Sequence, residues 1–286
     1  MISRPIALVT LCMLLPHAAC TRPAATTYAR NDAAKTSAGP EVMRRVERVT
    51  IADVVQIDHG RNVTSQEFPT FSFMAGLGTF IPPDELALHC GGSLIAEDWI
   101  LTAKHCAQYP RIELGDQDLM GGDGESYPNQ DRDNRFCHPS ADIALIRVER
   151  PPAGGSTIKP AALATNNDWE SQSIVLAGWG NNFSSNLQRA EVHLVDCSSV
   201  FPSEVVNNKT FCTIDSMSEA LQGDSGGPVL AFDAAGRPIL AGVMSTVDSA
   251  ITPNGRPNRH VRVLEFTTWI RSVMNNTASP SDFNHC

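Results

Sequence analysis

The sequence has 286 residues, of which 42% are hydrophobic and 19% are charged. This apolar content is enough for a sizeable core and excludes a globally disordered chain. The length fits two globular units, or one large all-β or α/β unit. Asp and Glu (31) outnumber Lys and Arg (22), giving a formal net charge of -9. A phosphate backbone is bound by positive surface, so nucleic acid is not expected as a partner.

Residues 1–20 have the layout of a secretory signal peptide, with a positive start, an apolar run over residues 6–15 and small residues before Cys20. The run is too short for a membrane anchor. Residues 16–20 also resemble the lipobox of bacterial lipoproteins, although His17 departs from that pattern. Lipid attachment at Cys20, with binding to a membrane, and simple cleavage are therefore two alternatives. Both predict a secreted, periplasmic or cell-surface protein.

Residues 21–56 are rich first in Ala and Thr and then in charge, without a sustained apolar period. This composition is typical of a linker or a pro-segment. A short amphipathic helix through Val42, Val46 and Val49 is the alternative.

After Ile57 the chain becomes a series of short apolar or alternating runs separated by turn residues, which predicts an all-β fold. The predicted strands cover residues 68–77, 93–102, 111–114, 142–148, 174–176, 191–195, 228–231, 239–245 and 259–263.

The end of the chain departs from the strand pattern. Apolar residues there recur at helical spacing, which predicts one C-terminal helix with an apolar stripe. They are Phe266, Trp269, Ile270, Val273 and Met274.

The chain has eight cysteines, and export would let them form disulfides. Cys12 lies in the signal peptide, and without Cys20 an even number remains. No two of the remaining cysteines have the Cys-x-x-Cys spacing of metal sites, so three disulfides are expected and no metal. The remaining cysteines are Cys90, Cys106, Cys137, Cys197, Cys212 and Cys286.

Three separated motifs carry groups suited to nucleophilic catalysis: Leu-Thr-Ala-Lys-His-Cys at 101–106, Asp-Ile-Ala-Leu-Ile at 142–146 and Gly-Asp-Ser-Gly-Gly-Pro at 223–228. A serine hydroxyl needs a base to take its proton and a carboxylate to orient that base. His105, Asp142 and Ser225 supply these groups. Each of these residues, taken by itself, could have a structural role. A structural role does not explain why the three occur together in this order and with these flanking residues.

The order and flanking residues of these motifs resemble the chymotrypsin-like (trypsin-like) serine proteases. Further similarity lies at residues 90–95, 111–115 and 178–180, at Cys197 and Cys212, and at residues 269–270. The resemblance covers about residues 57–274. It implies two six-stranded antiparallel β-barrels and a C-terminal helix, with a protease domain at 57–275 and a tail at 276–286.

The resemblance also implies roles for the motif residues. Ser225 would be the nucleophile, His105 the base and then the acid, and Asp142 the group that orients the imidazole. The backbone N–H groups of Gly223 and Ser225 would form the oxyanion hole.

Four cysteines are paired by the resemblance: Cys90 with Cys106, and Cys197 with Cys212. A bond between Cys137 and Cys286 follows only from the even number.

Activation in the family requires a new N-terminus that pairs with the Asp before the nucleophile. The matching residues are Ile57 and Asp224. Asp58 and His59 depart from the usual sequence, and the bond to be cut follows Gln56 in place of Arg or Lys. An unusual activating protease, maturation elsewhere, and an Asp224 satisfied without a free amine are the alternatives.

The substrate pocket implied by the resemblance is irregular. Glu219 would lie at the position that attracts basic P1 side chains, but Leu221 replaces a cysteine. Ser245 is followed by Val247 where glycine is usual, which would narrow the entrance, and Asn258 would fill one wall. A basic P1 residue and a small P1 residue are equally expected.

The sequence therefore predicts a hydrolase: a monomeric, exported serine endopeptidase made as a zymogen and acting on protein or peptide substrates, with no cofactor.

A loop with six acidic residues between 116 and 133 is expected to be solvated, with calcium binding as the alternative. A catalytically silent homologue that binds a protein is the rival interpretation. Gly223-x-Ser225-x-Gly227 also fits the nucleophile elbow of an α/β-hydrolase esterase, but that needs a helix after the serine.

Overall fold

The computed structural model describes residues 60–81, 85–149, 157–180, 185–201, 207–214, 220, 223–247 and 257–286. All of them belong to one compact unit, Arg48–Cys286. The predicted signal peptide and pro-segment, together with Cys20, Ile57, Glu219 and Leu221, lie outside the described residues.

The described chain is built mainly from short strands, numbered here in chain order. The first eight are β1 (Arg61–Asn62), β2 (Met74–Ile81), β3 (Glu85–Ala96), β4 (Trp99–Thr102), β5 (Arg111–Leu114), β6 (Glu125–Pro128), β7 (Arg135–Cys137) and β8 (Ala144–Arg147). The other eight are β9 (Ala162–Leu163), β10 (Ile174–Gly178), β11 (Gln188–Val195), β12 (Thr210–Ile214), β13 (Pro228–Phe232), β14 (Pro238–Val247), β15 (Asn258–Arg262) and β16 (Asn284–His285).

Helices are few and short in the described residues. The α-helices there are α1 (Cys197–Val200) and α2 (Thr267–Met274). Single 3₁₀ turns cover Phe68–Phe71, Lys104–Cys106, Arg132–Asn134, Asp168–Ser171 and Val263–Phe266. No helix of the described part of the chain has the length and apolar composition needed to cross a bilayer.

The C-terminal half folds into a closed barrel. Six antiparallel strands follow the order β11-β10-β13-β14-β15-β12, and pairing of β12 with β11 closes the ring. The short strands β1 and β9 are added at its outside. Strand β10 is buried along its whole length, as expected for a strand covered on both faces.

The N-terminal half forms a second curled antiparallel sheet in the order β16-β7-β8-β4-β3-β2-β5-β6. No pairing among the described residues closes this sheet, so it is a half-barrel flanked by β6 and β16. The predicted fold class is confirmed: two curled antiparallel sheets followed by a short C-terminal helix.

Two predicted elements differ in detail from the structure. Residues 68–71 were expected at the start of a strand. They form a 3₁₀ turn because Pro69 is one of its first two residues. Strand β2 begins only at Met74. The predicted strand 93–102 is a hairpin, because the chain reverses between β3 and β4. The C-terminal helix forms as predicted, with Trp269, Ile270 and Val273 buried.

Three disulfides join the described chain: Cys90–Cys106, Cys137–Cys286 and Cys197–Cys212, with Cα–Cα distances of 5.8, 5.9 and 5.2 Å. Such bonds are typical of proteins that fold in an oxidising compartment. The first fastens β3 to the 3₁₀ turn after β4, and the second ties the end of the chain to β7.

Candidate active site

His105 lies in the 3₁₀ turn Lys104–Cys106, directly after β4 leaves the buried sheet. Cys106 is fully buried and bonded to Cys90, which fixes the turn against β3. The imidazole itself remains about half exposed, at 47%. The backbone of His105 is therefore fixed while its ring faces solvent.

Asp142 lies in the loop between β7 and β8 and faces His105. Its Oδ2 is 2.9 Å from the His105 Nδ1, and its Oδ1 accepts a hydrogen bond from the His105 backbone N–H at 3.1 Å. A third donor is the Ser245 hydroxyl on β14, 2.6 Å from Oδ2. The carboxylate is therefore fixed by donors from both halves of the molecule.

The loop that carries Asp142 is itself braced. The His138 Nδ1 accepts hydrogen bonds from the backbone N–H groups of Ser140 and Ala141. The Lys104 ammonium donates to the His138 carbonyl at 3.1 Å, which links this loop to the turn that carries His105.

The paired groups shift each other's ionisation. The pKa of His105 is raised by its hydrogen bond and charge interaction with Asp142, although partial burial opposes this. Burial alone would raise the pKa of Asp142, but hydrogen bonds from His105 and Ser245 outweigh it and the net shift is downward. Asp142 is therefore a carboxylate at neutral pH, and the imidazole is held with Nδ1 toward it. Nε2 is left on the opposite edge of the ring.

Ser225 lies in a turn between the two sheets. Its carbonyl oxygen accepts a hydrogen bond from the Gly91 N–H at 2.7 Å and lies 3.4 Å from the Cys106 sulfur. The next residue, Gly226, donates its N–H to the carbonyl of Met244 on β14. The serine is thus held beside the turn of His105, with no direct hydrogen bond between hydroxyl and imidazole among the described contacts. Such bonds are often long in unliganded enzymes.

Glycine is required at the turn by close approach to the first sheet. A Cβ on Gly226, whose φ is +81°, would lie 2.3 Å from the Thr102 hydroxyl and 2.5 Å from the Gly91 carbonyl oxygen. No L side chain fits this space, so the turn that carries Ser225 can lie against β3 and β4 only with glycine here.

Asp224, directly before the serine, is 1% exposed. Its Oδ1 accepts the backbone N–H of Gly180 at 2.8 Å. A Cβ on Gly178 would lie 2.2 Å from the same oxygen, so the Gly-Trp-Gly motif at 178–180 gives the carboxylate room to approach the backbone. The predicted partner of Asp224, Ile57, lies outside the described residues.

A small cavity adjoins the serine between β14 and β15. It is lined by Ala220, Ser225, Met244, Ser245, Thr246, Asn258 and His260. Of the predicted pocket residues, Ser245 and Asn258 therefore line it. Val247 ends β14 and pairs with Asn258, and Glu219 is outside the described chain.

The structure brings together three groups that the sequence predicted as one set: Asp142 contacts His105, and Ser225 lies in the adjoining turn. Gly223 is buried in the same turn with φ +105°, a conformation that glycine adopts readily. The nucleophile-elbow alternative is not supported, because strand β13 follows Ser225 and no helix does.

Two features of the site were missed by the sequence analysis. Ser245 was assigned only to the substrate pocket, yet its hydroxyl donates to Asp142 across the interface between the sheets. His260 was given no role by the sequence analysis, but it is buried and its Nε2 is 2.7 Å from the Thr213 hydroxyl. Alternation along a strand places residues 258 and 260 on one face, which is the only sequence signal for this pair.

This fold and this arrangement of polar groups define the class of chymotrypsin-like serine proteases. The family model for trypsin matches residues 57–270. Because the match spans most of the chain, the protein belongs to the trypsin family and is a serine endopeptidase.

Individual relatives agree with this assignment. Trypsin-2 of Salmo salar is 30% identical over 203 residues, covering 65% of this chain and 84% of the relative. Collagenase of Hypoderma lineatum is 30% identical over 241 residues, covering 77% and 90%. Kallikrein-8 of Mus musculus is 29% identical over 209 residues, covering 66% and 78%.

A solved structure is also similar. Neuropsin, a serine protease expressed in the limbic system of mouse brain, superposes with a TM-score of 0.62 at 28% identity. The match covers 76% of this chain and 99% of the neuropsin chain.

Proposed function

We propose that this endopeptidase hydrolyses peptide bonds with Ser225 as nucleophile, His105 as general base and acid, and Asp142 as the residue that orients the imidazole. The observation that carries the proposal is the hydrogen-bonded pair of Asp142 and His105 beside the turn that holds Ser225. A structural role does not explain why a half-exposed histidine is oriented by a carboxylate that itself accepts hydrogen bonds from three donors.

The reaction would proceed through an acyl-enzyme. The Ser225 Oγ attacks the carbonyl carbon of the scissile bond while its proton passes to Nε2 of His105. The oxyanion that forms is stabilised by the backbone N–H groups of Gly223 and Ser225. The imidazolium then protonates the departing amine, and the C–N bond breaks.

Deacylation repeats these steps with water. His105 takes a proton from the water while the water oxygen attacks the carbonyl carbon of the ester. The bond to the Ser225 oxygen then breaks, and His105 returns the proton to that oxygen. Asp142 remains ionised throughout and stabilises the transient imidazolium.

The same proposal places the enzyme outside the cytoplasm as a monomer acting on proteins or peptides. Support comes from the signal-like residues 1–20 and from the three disulfides. Residues 21–56 would be a pro-segment removed on activation. Lipid on Cys20 would hold the enzyme at a membrane, and cleavage without lipid would release it.

A fluorophosphonate probe tests the nucleophile, because it phosphonylates only an activated serine. With processed protein, whose N-terminus is sequenced in the same sample, we expect a covalent adduct that peptide mapping places on Ser225. Ser225→Ala should abolish the adduct and lower peptide hydrolysis by at least about 10⁴-fold. His105→Ala should suppress labelling.

The exposed serine of β6 provides a matched control: Ser126→Ala should label as the unchanged protein does. Absence of the adduct from folded, processed protein would overturn the proposal and favour the catalytically silent homologue. An adduct on another serine would also contradict it.

A further inference from the structure

The loop between β7 and β8 is short, and it is closed at its base. Cys137 at the end of β7 pairs with Ala144 at the start of β8. The next residues inward are also joined, because the His138 N–H donates to the Ile143 carbonyl at 3.0 Å. Asp142 lies within this closed loop, directly before Ile143. Its position therefore depends on what fixes the few residues between the two ends.

The His138 side chain fixes those residues. Its Nδ1 accepts hydrogen bonds from the backbone N–H groups of Ser140 at 3.2 Å and Ala141 at 3.1 Å, the two residues directly before Asp142. A ring nitrogen that accepts hydrogen bonds carries no proton, so the imidazole is neutral and its hydrogen is on Nε2. The peptide groups that lead to Asp142 are thus held by a neutral imidazole.

His138 also connects this loop to two other parts of the protein. Its ring packs edge-on against Phe266 and Trp269 of the C-terminal half, with ring centroids 5.1 and 5.3 Å away. Its carbonyl accepts a hydrogen bond from the Lys104 ammonium at 3.1 Å. Because Lys104 directly precedes His105, one residue links the loop of Asp142, the turn of His105 and the C-terminal helix.

The surroundings of the ring favour its neutral form. Burial, and to a smaller extent the positive charges of Lys209 and Lys104, lower the pKa of His138 below its ordinary value of 6.5. Lys209 lies over the Phe266 ring, 5.9 Å from its centroid. The aromatic rings of Phe266 and Trp269 have no ionisable group. The imidazole of His138 therefore stays neutral at a pH where His105 is free to act as a base.

We propose that His138 is a positioning residue of this enzyme: its neutral ring holds Asp142 against His105, and a proton taken up from solvent at Nδ1 releases the loop. Protonation would turn Nδ1 into a donor that faces two N–H donors, so both hydrogen bonds would be lost. The new charge would also repel Lys104 and Lys209. A displacement of about 1 Å in a reacting group can cost about 100-fold in rate.

The inference rests on the proposed function, since the position of Asp142 matters for catalysis only if His105 is the base. It predicts two protonations in the acid limb of the pH profile. The first, on His105, should lower kcat/KM about 10-fold per pH unit. Once His138 also binds a proton, at a pH below 6.5, the fall should steepen to about 100-fold per unit.

The test is a plot of log kcat/KM against pH with an uncharged fluorogenic peptide, from about pH 8 down to about pH 4. Processed enzyme is used, and its active concentration is fixed by fluorophosphonate titration. Only pH values from which full activity returns on adjustment to about pH 8 are included, so that unfolding does not contribute. We expect the slope to rise from about 1 to about 2 on the acid side.

His138→Asn separates the acceptor from the titration. An asparagine carboxamide oxygen can accept the same two N–H groups, but it binds no proton in this pH range. We expect kcat at about pH 8 to stay within about 3-fold of the unchanged enzyme and the acid slope to remain about 1 at every pH. The control is His193→Asn on an exposed residue of β11, which should keep full activity and the slope of about 2.

His138→Leu tests the positioning itself, because it keeps an apolar side chain of similar size and removes the acceptor. We expect kcat to fall at least about 10-fold with KM changed less than about 3-fold, since Asp142 acts on the chemical step and not on substrate binding. Activity retained by His138→Asn and lost by His138→Leu would assign the effect to the acceptor. If His138→Leu does not fold, the acid slopes of the unchanged enzyme and of His138→Asn still decide.

The outcomes distinguish the two proposals. Labelled, active enzyme whose acid limb keeps a slope of about 1 overturns this inference alone. So does a slope of about 2 that His138→Asn retains, or folded His138→Leu protein with an unchanged kcat. Absence of labelling and of hydrolysis at every pH overturns the proposed function, and this inference with it.

Discussion

In the proposed reaction, His105 depends on the Asp142 carboxylate, whose pKa burial alone would raise. Asp142 stays ionised because three hydrogen bonds reach it: two from His105 and one from the Ser245 hydroxyl. Its negative charge in turn favours the protonated imidazole. The same contact that orients the base therefore also determines the pH at which the base becomes free.

This coupling predicts the acid limb of the pH profile. The pKa of His105 is raised above its ordinary value of 6.5, chiefly by the hydrogen bond with Asp142. Only the neutral imidazole can accept the serine proton, so kcat/KM should fall as the pH drops through the raised pKa. We expect a midpoint above 6.5 in a plot of kcat/KM against pH.

Asp142→Asn should lower kcat by about 10⁴-fold and move the midpoint down, because the anion that raised it is gone. The control is His285→Gln, which removes a second imidazole on an exposed residue of β16. It should leave the midpoint in place. A midpoint at or below 6.5 in the unchanged enzyme would contradict the proposed coupling.

The site residues differ in how well sequence could predict them. His105, Asp142 and Ser225 each stand in a short motif, and their common order carries the information. The bond from Ser245 to Asp142 has no such motif, because it arises where β14 packs against the loop between β7 and β8. It depends on tertiary packing, which spacing along the chain does not encode.

Among the elements, the C-terminal tail is held to the rest of the protein by three kinds of contact. Strand β16 pairs with β7, Cys286 is bonded to Cys137, and the Trp269 indole N–H donates to the Asp282 carbonyl at 2.8 Å. Strand β7 leads directly into the loop of Asp142. The tail thus supports the strand that leads into the loop of Asp142.

Removing the tail's disulfide should measure this support. The bond closes a segment of 149 residues, and loss of such a bond costs about 2–5 kcal/mol, mainly by freeing the unfolded chain. We expect the double variant Cys137→Ala, Cys286→Ala to lose that amount of unfolding free energy in urea titrations. Ser281→Ala, an exposed tail substitution, should cost nothing measurable. Unchanged stability of the double variant would show that the tail adds no support.

Strand prediction succeeded where burial on both faces leaves an uninterrupted apolar run, as in β10 and β13. It missed β1, β6, β7, β9, β12 and β16, which are short or carry polar residues, such as Thr210 and Asn284, and are defined by the strands with which they pair. It also placed residues 68–71 in a strand, because apolar content alone does not distinguish an extended segment from a proline-initiated turn.

The candidate site forms only where the two curled sheets are in contact. Asp142 and His105 come from the N-terminal sheet, while Ser225 and Ser245 come from segments of the C-terminal barrel. Gly91 and Gly226 allow the contact, since a Cβ on either would overlap backbone atoms of the other half. Resemblance to a known family predicted this architecture, whereas composition and periodicity alone indicated only an all-β chain.

The buried carboxylate of Asp224 predicts how assembly of the site depends on proteolysis. Asp224 lies next to Ser225 and is 1% exposed. A new amino group at Ile57 would pair with it and order the turn of Gly223 and Ser225, whose N–H groups are proposed to bind the oxyanion. We expect active protein to begin at Ile57 by N-terminal sequencing and the uncut chain to be at least 100-fold less active. Asp224→Asn should lower the activity of cut protein similarly, whereas Asp123→Asn, an exposed loop change, should not. Full activity with residues 21–56 still attached would instead mean that the Gly180 amide and other contacts of Asp224 are sufficient to order the turn.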